Sequence, residues 1–425
     1  MKLIRNTIAL VGTQAVTSIL GFVYWWLAAR RFPASSVGLA SATVSAMTLL
    51  GTLGMLGLGT LLIGELPRQR TRAPQLVTTA VLVAGAASGL FGVLFALVAP
   101  LISAELGSLA AQLDHLAIFA LGTAVTGMGL VFDQAAVGVM RSSLQFWRNT
   151  IFSVAKLLAL LALALWLHQV AGFSIFVTWV AGAAISLVAV VLIEIAAGKL
   201  HSGYRPQWDV LQGKGREALQ HHGLNLVLLG PGLFLPLVVT AMLSAEVNAY
   251  FYTAWMVNNI VMFVPVALGT ALYAAGSESP ETLRQKLRLT LGLSLAYGLL
   301  TNLILAVAGT WFLGFFGPQY AQAAPTLVLL NLTVIPVTIT EHYVALRRIE
   351  RRPESAVLPL GLSSVLKIVL AAVGARLGGL TGLSIGIVVA SYLVAVFLLP
   401  SVIRALGASE WVKARTWRGS ERNPF

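Results

Sequence analysis

Two lysines, Lys156 and Lys367, stand inside long apolar runs. An ammonium at the centre of a membrane-spanning helix costs about 2.5–3.5 kcal/mol on insertion scales, so it normally faces a partner or a cavity. Two chemistries suit such a residue: an ion pair with a nearby carboxylate, or contact with an anionic substrate. The hairpin around Arg141 and Arg148 predicts that Asp133 comes level with Lys156, and Glu341 is the corresponding partner for Lys367. Of Asp133, Glu194, Glu341, His342 and Glu65, all towards cytoplasmic helix ends, Asp133 and the Glu341-His342 pair are expected deepest, and a carboxylate at such a position can bind a proton or sodium ion. Arg30 and Arg31 follow Trp25-Trp26, an expected aromatic interface anchor. Either they meet phosphate or sugar carboxylates at an outer mouth, or they close the first helix among lipid headgroups, where cations favour a helix carboxyl terminus.

The elements that position these groups follow from composition. Of 425 residues 58% are hydrophobic and 10% charged, against about 25% charged in soluble domains. Apolar runs of about 20 residues recur along the chain, each long enough to cross a hydrocarbon core. The absence of cysteine excludes disulfides, thiolate metal sites and cysteine nucleophiles. The net charge of +13 is spread over short loops rather than one face, which is a topology signal and not a nucleic-acid footprint. No phosphate-binding glycine loop, zinc-protease motif or serine-hydrolase elbow is present, and no enzymatic activity or cofactor is expected.

The pattern predicts an all-α polytopic membrane protein of about twelve helices, near 7–29, 37–63, 76–100, 115–138, 150–168, 173–196, 223–243, 248–272, 287–313, 324–346, 357–375 and 379–400. The opening Met1-Lys2-Leu3-Ile4-Arg5 resembles a signal peptide, but the run from Thr7 to Ala29 is long enough to span and is expected to remain as the first helix. A cytoplasmic amino terminus leaves outside only Arg30, Arg31 and Arg376 of the 28 Lys and Arg, apart from the two within apolar runs. Both termini are therefore expected in the cytoplasm. The series Gly51, Gly54, Gly57, Gly59 reads as close helix packing. Pro231, Pro236, Pro265 and Pro336 fall inside expected helices as kinks. A shift of 211 residues superposes Gln14 on Asn225, Arg141 on Arg352 and Lys156 on Lys367. Two parallel six-helix lobes are expected, at 1–200 and 223–402, with a cytoplasmic linker over 201–222 and a basic tail over 403–425.

The segments Leu27-Ala-Ala-Arg-Arg-Phe-Pro-Ala-Ser-Ser-Val-Gly38, Leu53-Gly-Met-Leu-Gly-Leu-Gly59, Val139-Met-Arg-Ser-Ser-Leu-Gln-Phe-Trp-Arg-Asn149 and Ala245-Glu-Val-Asn-Ala-Tyr-Phe-Tyr-Thr-Ala254 resemble the polysaccharide biosynthesis (O-antigen) flippase family. That family is part of the multidrug, oligosaccharidyl-lipid and polysaccharide (MOP) exporter superfamily. The resemblance implies two lobes around a central cavity that opens alternately to either side of a bacterial inner membrane. It implies as cargo a polyprenyl-diphosphate-linked oligosaccharide, moved from the cytoplasmic to the outer leaflet. Lys156, Lys367, Arg30 and Arg31 would then meet the anionic headgroup, with Gln14, Asn225, Asn258, Asn259 and Asn302 as sugar contacts. The partners implied are the lipid-linked oligosaccharide, the bilayer and other polysaccharide assembly proteins, with no nucleic acid. Coupling would come from a proton or sodium gradient or from membrane potential. A cation-coupled multidrug exporter of the same superfamily and a non-transporting subunit of a polysaccharide synthase are the alternatives.

Overall fold

The computed structural model describes residues 2–69, 71–166, 172–198, 205–213, 215–278, 282–350 and 352–407, and among these the regular elements are all helical. The chain forms two compact units, Met1–Tyr250 and Phe251–Phe425. Ten helical segments are long and apolar enough to cross a membrane, and Gly230–Met242 adds a shorter apolar stretch.

The first unit holds α1 (Lys2–Arg31), α2 (Ala34–Gly54), α3 (Leu58–Glu65), α4 (Ala73–Ile102), α5 (Leu113–Gly138), α6 (Ser142–Trp166), α7 (Gly172–Ala196), α8 (Gly215–Met242) and the start of α9 (Ala245–Glu278). The expected single helix over 37–63 is broken between α2 and α3, where Leu56 and Gly57 both take positive φ, 50° and 74°. The cause is close packing: a side chain on Gly57 would collide with the Ala218 carbonyl of α8, and one on Gly54 with Ser88 of α4. Gly38, at the other end of α2, leaves no room for a Cβ beside the Ala245 carbonyl. The helix α8 thus packs on α2, with Gly57 against its Ala218 and Gly38 against the first residue of α9.

Two further boundaries differ from expectation. The helix α6 begins at Ser142 rather than near 150, because its polar first turns are used: the Ser142 N–H donates to Asn6 Oδ1 at 3.2 Å, and its arginine is consumed in an ion pair described below. Part of the expected linker is ordered on the first unit. Gln207 exchanges hydrogen bonds with the Thr79 hydroxyl of α4 (2.9 and 3.2 Å), Val210 is buried, and α8 starts at Gly215.

The second unit contains the rest of α9, then α10 (Leu283–Gly314), α11 (Ala324–Asn331), α12 (Val334–Ile349) and α13 (Val357–Gly407). The last element is the two expected helices joined at a bend, with Gly379 at φ 58°, ψ −140°. Its two arms fold back into backbone contact, since a Cβ on Gly374 would meet the Gly382 carbonyl and one on Gly386 the Leu370 carbonyl. Small residues at such crossings let membrane helices approach closely. The outward side of α10 carries Leu289, Leu293, Leu299, Leu303, Val307 and Trp311, all exposed, the arrangement of a helix whose solvent is lipid. The tail beyond Gly407 lies outside the described residues.

Ahead of the apolar stretch of α8, His222 is buried against the α2–α3 break and hydrogen-bonds the Leu53 carbonyl, with Nδ1 unpartnered. Burial lowers its pKa below the ordinary 6.5, outweighing the Leu53 bond, which raises it. The unfolded chain therefore takes up this proton first, so stability present above about pH 6.5 is lost as pH falls towards the folded value. Thermal unfolding of the detergent-purified protein between about pH 8 and pH 5 is expected to show a steeper acid loss for the wild type than for His222→Gln; parallel curves would refute the assignment.

Candidate functional site

The charged groups inside the first unit are disposed of in two ways. Arg148 of α6 grips Asp133 of α5 through two parallel bonds, Nε–Oδ1 and Nη2–Oδ2, both 2.7 Å. Asn149 Nδ2 adds a third donor to the same carboxylate at 2.9 Å. Arg141 holds Glu194 of α7 in the same forked manner at 2.7 and 2.6 Å. Such bidentate pairs are the strong form of charge-assisted hydrogen bond, and helix geometry explains them: each joins residues near the same ends of neighbouring antiparallel helices.

Lys156 is treated differently. It is 3% exposed and lies about 21 Å along α6 from Ser142, deeper than the expected helix start placed it. Its Nζ sits 3.4 Å from the Trp179 ring centroid of α7, 4.4 Å from Phe152 one turn earlier on α6, and 5.2 Å from Tyr24 of α1. The rings brace one another: Trp179 meets Tyr24 edge-on at 5.2 Å, Phe152 at 5.5 Å and Trp25 at 5.7 Å. The Tyr24 hydroxyl is anchored to the Ile175 carbonyl at 3.0 Å and to Thr178 Oγ1 at 2.8 Å. Gly182 presses α7 onto α6 at this level, leaving a Cβ only 2.9 Å from the Lys156 amide nitrogen. Cation–π attraction of this kind is worth about 2 kcal/mol or more per desolvated contact.

Several expectations are corrected by this geometry. The Asp133–Lys156 pair does not form, because Arg148 is both nearer and better shaped for the carboxylate. Among the described residues no carboxylate lies within ion-pair distance of Lys156. Trp25, expected as a headgroup anchor, is buried beside the lysine instead. The cage was not visible in the sequence because its rings come from three helices; the one local signal is Phe152 four residues before Lys156.

In the second unit the expected Glu341–Lys367 ion pair is not formed: Glu341 of α12 and Lys367 of α13 are not within ion-pair distance of one another. His342 is fully buried, with Nδ1 2.8 Å from the Thr338 carbonyl and Nε2 3.1 Å from Thr290 Oγ1, so both ring nitrogens are occupied by α12 and α10. Arg30 and Arg31 are exposed at the end of α1, and Gln14 is exposed halfway along it. Asn258 is buried with Oδ1 unpartnered, whereas Asn259 is exposed. Asn302 donates to the Gly298 carbonyl at 2.7 Å, a bond within its own helix. Asn225 lies on α8, with its side chain outside the described residues.

Removing one member of a buried ion pair strands the other. Arg148→Met is expected to lower stability by roughly 3–5 kcal/mol, and Asp133→Leu combined with Arg148→Met to recover most of that loss. Melting of the three purified proteins checks it; equal destabilisation of single and double variants would be the contrary result.

Residues 3–202 match a family model described as polysaccharide biosynthesis protein. Among solved structures, the chain resembles an inward-facing multidrug resistance MATE family transporter of the MOP superfamily, at 13% identity and TM-score 0.70, covering 96% of this chain and 99% of that one. It also resembles the lipid II flippase MurJ in an inward closed conformation, at 12% identity and TM-score 0.71, over 95% and 89% of the two chains. A MOP superfamily transporter from Pyrococcus furiosus matches at 13% identity and TM-score 0.61, over 96% of both. The curated proteins contain no match. The amino-terminal part of this multi-pass chain therefore matches the polysaccharide biosynthesis protein family, and the whole has the fold shared by MATE transporters and MurJ.

Proposed function

We propose that this protein is a flippase moving a polyprenyl-diphosphate-linked oligosaccharide from the cytoplasmic to the outer leaflet of a bacterial inner membrane, for cell-surface polysaccharide assembly. The observation that carries the reading is the interior charge balance. Asp133 and Glu194 are each matched by an arginine, which leaves Lys156 as positive charge with no ion-pair partner among the described interior groups. A cation left over inside a membrane protein suits an anionic cargo, and a diphosphate is the anionic part of a lipid-linked sugar. Lys367, Arg30 and Arg31 extend the same sign. The family match and the likeness to a lipid II flippase support the cargo class.

A cation-coupled drug exporter fits less well, because its cargo would need free carboxylates where these are already held by arginines. One observation favours a second reading, a non-transporting subunit of a polysaccharide synthase: Lys156 is enclosed in its cage and so is not open to a ligand in this state. Under the flippase reading, α1 must shift on α6 and α7 during alternating access to uncover the ammonium. Energy would come from a proton or sodium gradient or from membrane potential. No chemical step and no cofactor are part of the proposal.

Proteoliposomes carrying a fluorescent polyprenyl-diphosphate oligosaccharide separate these readings. Wild type is expected to expose the label to an outside quencher, and Lys156→Ala and Lys367→Ala to lose that activity while keeping a native melting profile. A wild type that moves no cargo under any imposed gradient would favour the subunit reading, and full activity in both variants would remove the lysines from the site.

A further inference from the structure

The polar groups of α6 do not stop at the ion pairs. Ser142, Gln145, Asn149, Ser153 and Lys156 follow one another at spacings of three or four residues and so share one face of the helix. Together they place a polar side chain on every turn from the amino-terminal end of α6 to the cage. Three buried atoms at or beside this stripe have no partner: Gln145 Oε1, Thr150 Oγ1 and Ser153 Oγ, the last on a fully buried residue one turn before Lys156. Asn6 Nδ2, at the start of the stripe, is likewise unpartnered. Buried polar groups are normally satisfied, and where protein supplies no partner an ordered water does.

Beyond Lys156 lies a second feature. A groove between the carboxyl-terminal half of α6 and the amino-terminal half of α7 is lined by Ala159, Leu163, Trp166, Ser174, Val177 and Thr178. Thr178 Oγ1 is the hydroxyl bonded to Tyr24, whose ring faces the Lys156 ammonium. The caged amine thus stands between a stripe of unsatisfied polar atoms on one side and a hydroxyl pair at an open groove on the other. The ionisable group touching it is Tyr24 of α1; α7 contributes Thr178, Trp179 and Gly182, none of them charged, and the mutually neutralised Arg148–Asp133 pair lies about 12 Å back along α6.

We propose that Lys156 is a proton-exchange site, the central station of a water-filled proton path that runs through the first unit alone. A proton enters from water along Gln145, Thr150 and Ser153 and binds the neutral amine, giving the ammonium that the three rings hold. It leaves by way of one water to the Tyr24 hydroxyl, which passes its own proton to Thr178; the Thr178 hydroxyl, which donates to the Ile175 carbonyl at 2.8 Å, turns to pass its own to water in the groove. Each hydroxyl ends as it began, and Nζ is left as the amine. The rings accommodate the ammonium and the apolar walls accommodate the amine, so the site can hold either form without a carboxylate. This rests on the transport reading and supplies its coupling ion: charge on Lys156 is present when the headgroup must be held and absent when it must be released.

Two measurements test it, one of which needs no cargo. In the full-length protein in nanodiscs, tryptophan fluorescence should titrate with a one-proton transition, because the ammonium lies over Trp179. The transition should vanish in Lys156→Arg, which keeps the charge but cannot give it up, and in Trp179→Phe, while surviving in Lys367→Arg. A transition that persists in Lys156→Arg, or a wild type with none, overturns the proposal. In proteoliposomes, Lys156→Arg should lose the acceleration of flipping by a pH gradient, and Ser153→Val and Thr178→Val should reduce it; an undiminished response in Lys156→Arg overturns the coupling. If wild type flips no cargo, the flippase reading fails while the fluorescence titration still decides the proton site.

Discussion

A charge placed in hydrocarbon must be matched by an opposite charge, wrapped by polarisable groups, or lost, and the interior of this protein is organised by that constraint. Two arginines meet it by gripping carboxylates on the next helix, and a bidentate grip also fixes the rotation and depth of both helices. The α5–α6 and α6–α7 contacts are therefore set by geometry as well as by apolar packing, which between membrane helices has no hydrophobic driving force behind it. Lys156 meets the same constraint without a counter-charge. Three aromatic faces do for it what a carboxylate does for the arginines, and that arrangement is reversible in a way a salt bridge is not: a ring loses its hold on the charge with a small change of angle, whereas separating a buried ion pair leaves two uncompensated charges.

Close approach of backbones supplies the remaining order. The carbonyls at the break between α2 and α3 are bonded twice over: Gly51 accepts from the Met55 N–H at 3.0 Å and from Ser88 Oγ at 3.4 Å, and Leu53 from the Leu56 N–H at 3.2 Å and from His222. Backbone that leaves the regular helix is tolerated where protein buries it, as α8 and α4 do here. In the second unit, the glycines on both arms of α13 make a contact of the same type, so a single long helical element closes on itself. Both features put the bends of the chain where glycine removes the side-chain clash, which leaves the straight helices α6 and α7 free to hold the cage.

The twelve apolar segments were legible in the sequence because their signal is local: length and hydropathy decide them within one window. The glycine series in α2 was legible as packing for the same reason, but the break at Leu56–Gly57 was not, since it depends on which helix arrives opposite. The start of α6 was misplaced because Ser142 to Asn149 is polar and reads as a loop, and only the partners on α1, α5 and α7 make it helix. Matching opposite charges on consecutive helices gave Glu341 to Lys367, and no contact of ion-pair length joins them. The same reasoning gave Asp133 to Lys156 and failed, because Arg148, eight residues earlier on the same helix, competes with a better fork and a shorter reach. Depth alone cannot rank two cations on one helix face.

The two lysines share an offset in the sequence yet not an environment, and the difference bears on mechanism. Lys367 is half-buried on α13, whereas Lys156 is enclosed by rings with no carboxylate within ion-pair distance among the described residues, so its protonation state changes the charge of the surrounding interior by a full unit. Coulomb energy scales with that change and inversely with the dielectric constant, so the effect is greatest where water is excluded. A cage that walls an unpaired lysine off from bulk water therefore concentrates the electrostatic consequence of one proton at the junction of α1, α6 and α7. A carboxylate beside Lys156 would have held the helices together more firmly and abolished that sensitivity, which is a physical reason for the position to be lined with rings instead.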